Sequence, residues 1–134
     1  MKLKKSLPDP LKRREILYGK NTPREVLIHY GDLYYEAGRL NDAVEFYGMA
    51  NHREALLKLR DLALEEGDFF LFQQVTEFLR ESVTNNTWRI LGQNALNKGK
   101  FSFAWKAFSQ AEDMEALKEI EKMMREEEKG ERSK

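Results

Sequence analysis

Seven positions in the first half of the chain recur near its C-terminus at one spacing, five of them in kind, and this echo constrains the fold more than any other feature. Gly31, Tyr34, Gly38, Leu40, Ala43, Tyr47 and Ala50, each moved along by 61 positions, land on Gly92, Ala95, Gly99, Phe101, Ala104, Phe108 and Ala111. Glycine meets glycine twice, alanine meets alanine twice, and aromatic meets aromatic. The register persists beyond the block, since Glu54-Ala55-Leu56 becomes Glu115-Ala116-Leu117. Self-similarity at a fixed spacing marks repeat architectures, in which a unit too small to bury its own apolar face stacks on a copy of itself.

The unit is helical. Val26, Leu27, Tyr30, Leu33, Tyr34 and Ala37 recur at intervals of three and four, which puts them on one face of a helix that Gly38 ends. Thr22-Pro23-Arg24-Glu25 has the residues of a capping box at its start. After a two-residue turn, Asn41 is placed to cap a second helix carrying Ala43, Val44, Phe46, Tyr47 and Ala50, and so short a turn makes the pair a hairpin. Asn51 and Glu54 suggest the next cap. They open a helix through Leu56 to Leu64 and Gly67, followed by Phe69, Phe70, Phe72, Val75, Phe78 and Leu79. This middle hairpin is degenerate: Arg60 stands where Gly31 and Gly92 stand, and Phe72 where Ala43 and Ala104 stand, which predicts wider helix spacing there. Phe69 and Phe70 are read as core residues that mark a patch if exposed. The polar Ser82 to Asn86 reads as a loop, with Asn86 or Thr87 capping a third hairpin from Trp88 to Gln110. Glu112-Asp113 then caps a closing helix from Met114 to about Glu127, whose apolar line fades into charge as a terminal cap requires.

At the N-terminus, Asp9 followed by Pro10 predicts a short helix to Tyr18, ended at Gly19. The expected organisation is a basic N-terminal segment over residues 1–21, a repeat domain over 22–127 and a disordered charged tail over 128–134.

Composition narrows the chemistry. Lys plus Arg and Asp plus Glu number 23 each, so no overall field draws the chain to nucleic acid or an anionic membrane. There is no cysteine, hence no disulfide, thiolate zinc site or cysteine nucleophile. No run of 18 apolar residues is present to span a bilayer, and a cytoplasmic location is expected. His29 and His52 each lack a second histidine at helical spacing, and no glycine-rich phosphate loop follows a strand. The expectation is therefore a chain without catalytic residues, metal or cofactor. Lys2, Lys4, Lys5 and the run Lys12-Arg13-Arg14 leave phosphate binding by the N-terminal arm as a minor reading.

With these residues placed, the outer hairpins resemble tetratricopeptide repeats, whose first helix carries an aromatic, Leu-Gly and Tyr, and whose second carries Ala, an aromatic and Ala. The third hairpin supplies Trp88, Leu91-Gly92, Ala104, Phe108 and Ala111, and the first supplies Leu27, Gly31, Tyr34, Ala43, Tyr47 and Ala50. Both have alanine, at 55 and 116, where that family usually has proline, a departure shared with the helical hairpins of trafficking scaffolds. The resemblance implies a short right-handed α-solenoid of about three hairpins with a C-terminal capping helix, acting in protein–protein interaction as a scaffold or adaptor. It also implies a concave groove lined by the first helix of each hairpin. Carried over by position, the groove residues are Ile28, Asp32, Tyr35 and Glu36, then Leu57, Asp61 and Leu64, then Arg89, Gln93, Leu96 and Asn97. Asp32 and Asp61 argue against a clamp for a C-terminal carboxylate and suit a basic amphipathic helix or peptide instead. Self-association through the open ends and the Phe69/Phe70 edge is the competing reading.

Overall fold

Turn residues decide where these helices stop. The computed structural model describes residues 5–132, and among them the chain is all-α, with no strand. The helices are α1 (Pro10–Tyr18), α2 (Arg24–Glu36), α3 (Leu40–Met49), α4 (Arg53–Glu66), α5 (Phe69–Leu79), α6 (Asn85–Asn97), α7 (Phe101–Gln110) and α8 (Met114–Arg132).

Positive φ occurs at Gly38, Asn51, Gly67, Arg80, Gly99 and Glu112, so glycine and non-glycine alternate, and each glycine precedes its successor by 13 positions. The Gly38 N–H donates to the Tyr35 carbonyl at 3.0 Å and the Arg39 N–H to the Tyr34 carbonyl at 2.9 Å, the double closure of a Schellman end. Asn51 with His52, Gly67 with Asp68, Gly99 with Lys100 and Glu112 with Asp113 close their helices in the same way. Three helix pairs are thus punctuated alike, including the middle one whose small residues are missing.

The chain divides into two compact units. The first runs through Arg60 and includes Gln74–Arg80; the second comprises Asp61–Gln73 and the chain from Glu81 onward.

In the first unit α2 packs along α3, and α1 lies against α3. Tyr34 and Phe46 stack with ring centroids 5.2 Å apart, both almost wholly buried. Gly31 leaves a gap that the Tyr47 ring fills: a Cβ there would sit 2.7 Å from Tyr47 Cε1. Gly48 does the same for the ring of Phe78. Arg13 fastens α1 by donating from one guanidinium nitrogen to Asp42 at 2.9 Å and Glu45 at 2.8 Å, with its plane near the Tyr34 and Phe46 rings.

In the second unit α7 packs on both α6 and α8. Phe108 fills the gap left by Gly92, where a Cβ would lie 2.6 Å from Phe108 Cε2, and a cluster of Ala95, Ala104, Phe108, Leu117 and Ile120 forms around it. Trp88 packs against Phe69 and Phe72 with centroids 5.7 and 5.5 Å away. The C-terminal carbonyls of α4 are satisfied by side chains, Asn94 donating to the Leu64 carbonyl and Lys100 to that of Glu66, each at 2.8 Å. Gly67 serves twice there, since its φ is positive and a Cβ would lie 2.5 Å from the Ala95 backbone.

Several local expectations change. Asp9 does cap α1, accepting from the Lys12 N–H, but Gly19 ends it in extended conformation rather than left-handed. Thr22 forms no capping box: Pro23 precedes the helix, and the Pro23 carbonyl takes the first hydrogen bonds. Asn41 caps nothing, because the tight turn leads straight into α3, and its amide pairs with Gln74 instead. Asn51 is spent on the left-handed end of α3, so the cap of α4 falls to His52, whose Nδ1 accepts the Ala55 N–H. Thr84, rather than Asn86 or Thr87, caps α6, and the expected loop shortens because Asn85 and Asn86 join the first turn. The closing helix continues to Arg132, well past Glu127: Arg, Glu and Lys are strong helix formers, and they extend it after its buried line ends at Ile120. Residues 133–134 of the expected tail lie outside the described residues. Phe69, Phe72 and Phe70 divide, the first two buried and Phe70 half exposed against Phe103. Phe72, the predicted misfit, is buried edge-on to Trp88, and the position 29 after Tyr47 is Thr76, small and also buried. Bulk missing from one helix position therefore stands at another.

Candidate binding clefts

The rings that fill the gaps at Gly31 and Gly92, Tyr47 and Phe108, each also line a cleft. In the first unit Asp32 and Tyr35 project from α2, Tyr47 from α3, and His52, Glu54, Ala55 and Lys58 from the start of α4; together they line a space of about 340 Å³. The Tyr47 hydroxyl donates to Asp32 Oδ1 at 2.5 Å, and the His52 ring stands edge-on to the Tyr47 ring. Burial first, and then this hydrogen bond, push the Tyr47 phenol pKa well above its ordinary value. Tyr35 is half exposed, giving the cleft an aromatic wall.

In the second unit Arg89, Ile90, Gln93 and Leu96 come from α6, Phe108 from α7, and Asp113, Glu115, Ala116, Glu119 and Met123 from α8 and its cap. This cleft holds about 650 Å³, within the range of ligand-binding cavities. Asp113 both accepts the Ala116 N–H and pairs with Arg89 at 3.4 Å.

The two clefts are lined at positions related by one constant spacing. Moving Asp32, Tyr35, Tyr47, His52, Glu54, Ala55 and Lys58 along by 61 gives Gln93, Leu96, Phe108, Asp113, Glu115, Ala116 and Glu119, all of which line the second cleft. Their linings differ chemically. The hydrogen-bonded pair Asp32–Tyr47 is replaced by Gln93 and Phe108, so hydroxyl and carboxylate are lost together, and Lys58 is replaced by Glu119.

Of the residues assigned to a groove from sequence, Asp32 and Tyr35 line the first cleft and Arg89, Gln93 and Leu96 the second. The others line neither. Ile28, Leu57 and Leu64 are half-buried, Glu36 and Asp61 are exposed, and Asn97 is exposed and accepts a hydrogen bond from the Gln93 amide. Sequence reasoning missed the far walls. On α4 the lining begins one turn earlier than Leu57, at Glu54, Ala55 and Lys58. On α8 it was missed because that helix was read only as a cap, although Glu115-Ala116-Leu117 already repeats Glu54-Ala55-Leu56.

Elsewhere, Arg13 is committed internally: burial opposes its charge, but Glu45 and Asp42 outweigh that and raise its pKa. Lys12 pairs with Glu15, while Lys2 and Lys4 lie outside the described residues. Among the described residues no group of three or more acidic or histidine side chains could hold a metal ion, and no helix is long and apolar enough to cross a membrane. Comparison with protein-family models, with curated proteins and with solved structures finds no match.

Proposed function

We propose that the chain is a non-catalytic protein-interaction module, a short right-handed α-solenoid of three tetratricopeptide-like hairpins that receives a peptide or helix in clefts beside the first helix of a hairpin. One observation carries this reading: all seven residues around the first cleft have counterparts, at one constant spacing, around the second. Packing alone explains a repeated glycine and ring. It does not explain a repeated set of partly exposed side chains facing open space. The identical placement of positive-φ residues in all three helix pairs supports the three-hairpin architecture.

Selection from a random peptide library displayed on phage tests the proposal. Enriched peptides should lose binding to Gln93→Trp, which fills the second cleft from an exposed position, while circular dichroism stays unchanged. Failure to enrich any sequence, or binding indifferent to this variant and to Tyr35→Ala in the first cleft, overturns it.

Self-association is favoured by a separate observation, the half-exposed Phe70 ring with Phe103 beneath it and the Lys106 ammonium 5.6 Å from its centroid. Light scattering decides this: a mass that rises with concentration and falls with Phe70→Ser supports it, and a concentration-independent monomer removes it.

A further inference from the structure

We infer that the second cleft takes a basic amphipathic segment, seating an apolar side chain over Phe108 and directing a Lys or Arg one turn away toward Glu115 and Glu119. The inference rests on the module reading and adds the chemical class of its ligand.

The floor and walls are apolar. Phe108 lies at the base, Leu96 and Ala116 beside it, and Ile90 and Met123 remain 43% and 40% exposed at opposite edges, on α6 and α8. An unbranched methionine at such an edge adapts to the shape of what it meets. The rim is acidic. Its only cation among the lining residues, Arg89, is paired with Asp113, and Glu115 and Glu119 are exposed. An incoming acidic segment would face two carboxylates, whereas Lys or Arg would be drawn to them. The first cleft supplies the contrast: Tyr35, Tyr47 and Lys58 replace Leu96, Phe108 and Glu119, so its floor carries a hydroxyl and its rim a lysine that lies 3.9 Å from Glu54 and offsets that carboxylate. Of the two clefts, the second is the one that sets two exposed glutamates beside a floor without a hydroxyl, the arrangement that receives one face of an amphipathic helix.

Three labelled model helices test the inference by fluorescence anisotropy: one built of Leu and Lys with a single apolar stripe, one with Glu in place of Lys, and one with Ser in place of Leu. The Leu/Lys helix should bind and the other two should not. Glu115→Lys plus Glu119→Lys should weaken it by about tenfold or more and admit the Leu/Glu helix. Glu25→Lys plus Glu65→Lys, an equal change of net charge at exposed positions outside the cleft, should leave binding within about twofold. Equal weakening by both double variants, equal binding of the Ser/Lys helix, or preference for the Leu/Glu helix overturns the inference. The two readings fail differently. If library-selected peptides are acidic or uncharged yet lose binding with Gln93→Trp and Met123→Asp, the cleft stands and the basic ligand falls; if neither variant alters any peptide's binding, the cleft itself falls.

Discussion

Gly92 and Gly31 are each defined by a ring, Phe108 and Tyr47 respectively, so their importance lies in missing volume more than in backbone freedom. Gly92→Ala should cost about 1–3 kcal/mol in urea unfolding, because the buried ring must shift to admit a methyl group. Gly99 is the opposite case, with positive φ and nothing within 4 Å, so Gly99→Ala costs only left-handed strain, about 1 kcal/mol. The same strain is already present at Glu112, where Glu112→Gly should leave stability equal or slightly higher. Tyr47→Phe removes a hydrogen bond to Asp32 while keeping the ring, as at the corresponding Phe108, and should cost about 0.5–2 kcal/mol. Its pH signature is specific. In the unfolded chain the phenol ionises near 10, while burial and the Asp32 contact keep it protonated to higher pH when folded. Its stabilising share is therefore complete below about pH 10 and declines above it, by about 1.4 kcal/mol per pH unit for one group. Alkaline denaturation should be less steep in Tyr47→Phe than in the parent. Tyr34, also raised by burial, will leave a residual slope in both.

At the level of elements, α1 shows how little of a helix's attachment its own pattern reveals. It buries only Ile16 and Leu17, and its firmest hold is Arg13 bridging to Asp42 and Glu45 on α3. Arg13→Ala should cost about 1–3 kcal/mol, since it also leaves two carboxylates facing one another. Lys12→Ala, whose ion pair with Glu15 is exposed and 3.7 Å long, should cost less than about 1 kcal/mol. Thermal unfolding followed by circular dichroism separates the two. No local rule picks Arg13 out of Lys12-Arg13-Arg14, because its partners are about 30 residues away. The caps mislead for a related reason. Thr22, Asn41 and Asn51 all have capping chemistry, but a Schellman end or a proline carbonyl had already fixed the chain direction at those places, and the cap fell to His52 or to backbone. Helix existence and order were legible from three- and four-residue periodicity. The far cleft walls were not, since they belong to the helix that follows each hairpin.

Taken as a whole molecule, the chain cannot be cut into its two units: α4 and α5 each begin in one and end in the other. Unfolding should accordingly be a single transition. Trp88 and Trp105 both lie in the second unit, so their fluorescence reports on that unit, while far-ultraviolet dichroism reports on all helices. Coincident urea curves are expected; a fluorescence change displaced from the dichroism change would mean that the units melt apart. The paired clefts carry a last consequence. Because Asp32, Tyr35, Tyr47 and Lys58 occupy the same frame as Gln93, Leu96, Phe108 and Glu119, the recognition proposed above would be written in a handful of interchangeable letters on a fixed page. Transplanting the four C-terminal letters onto the N-terminal frame, with the acid and the hydroxyl exchanged together, should duplicate a preference instead of inventing one, and so yield a two-headed receptor from an unaltered backbone.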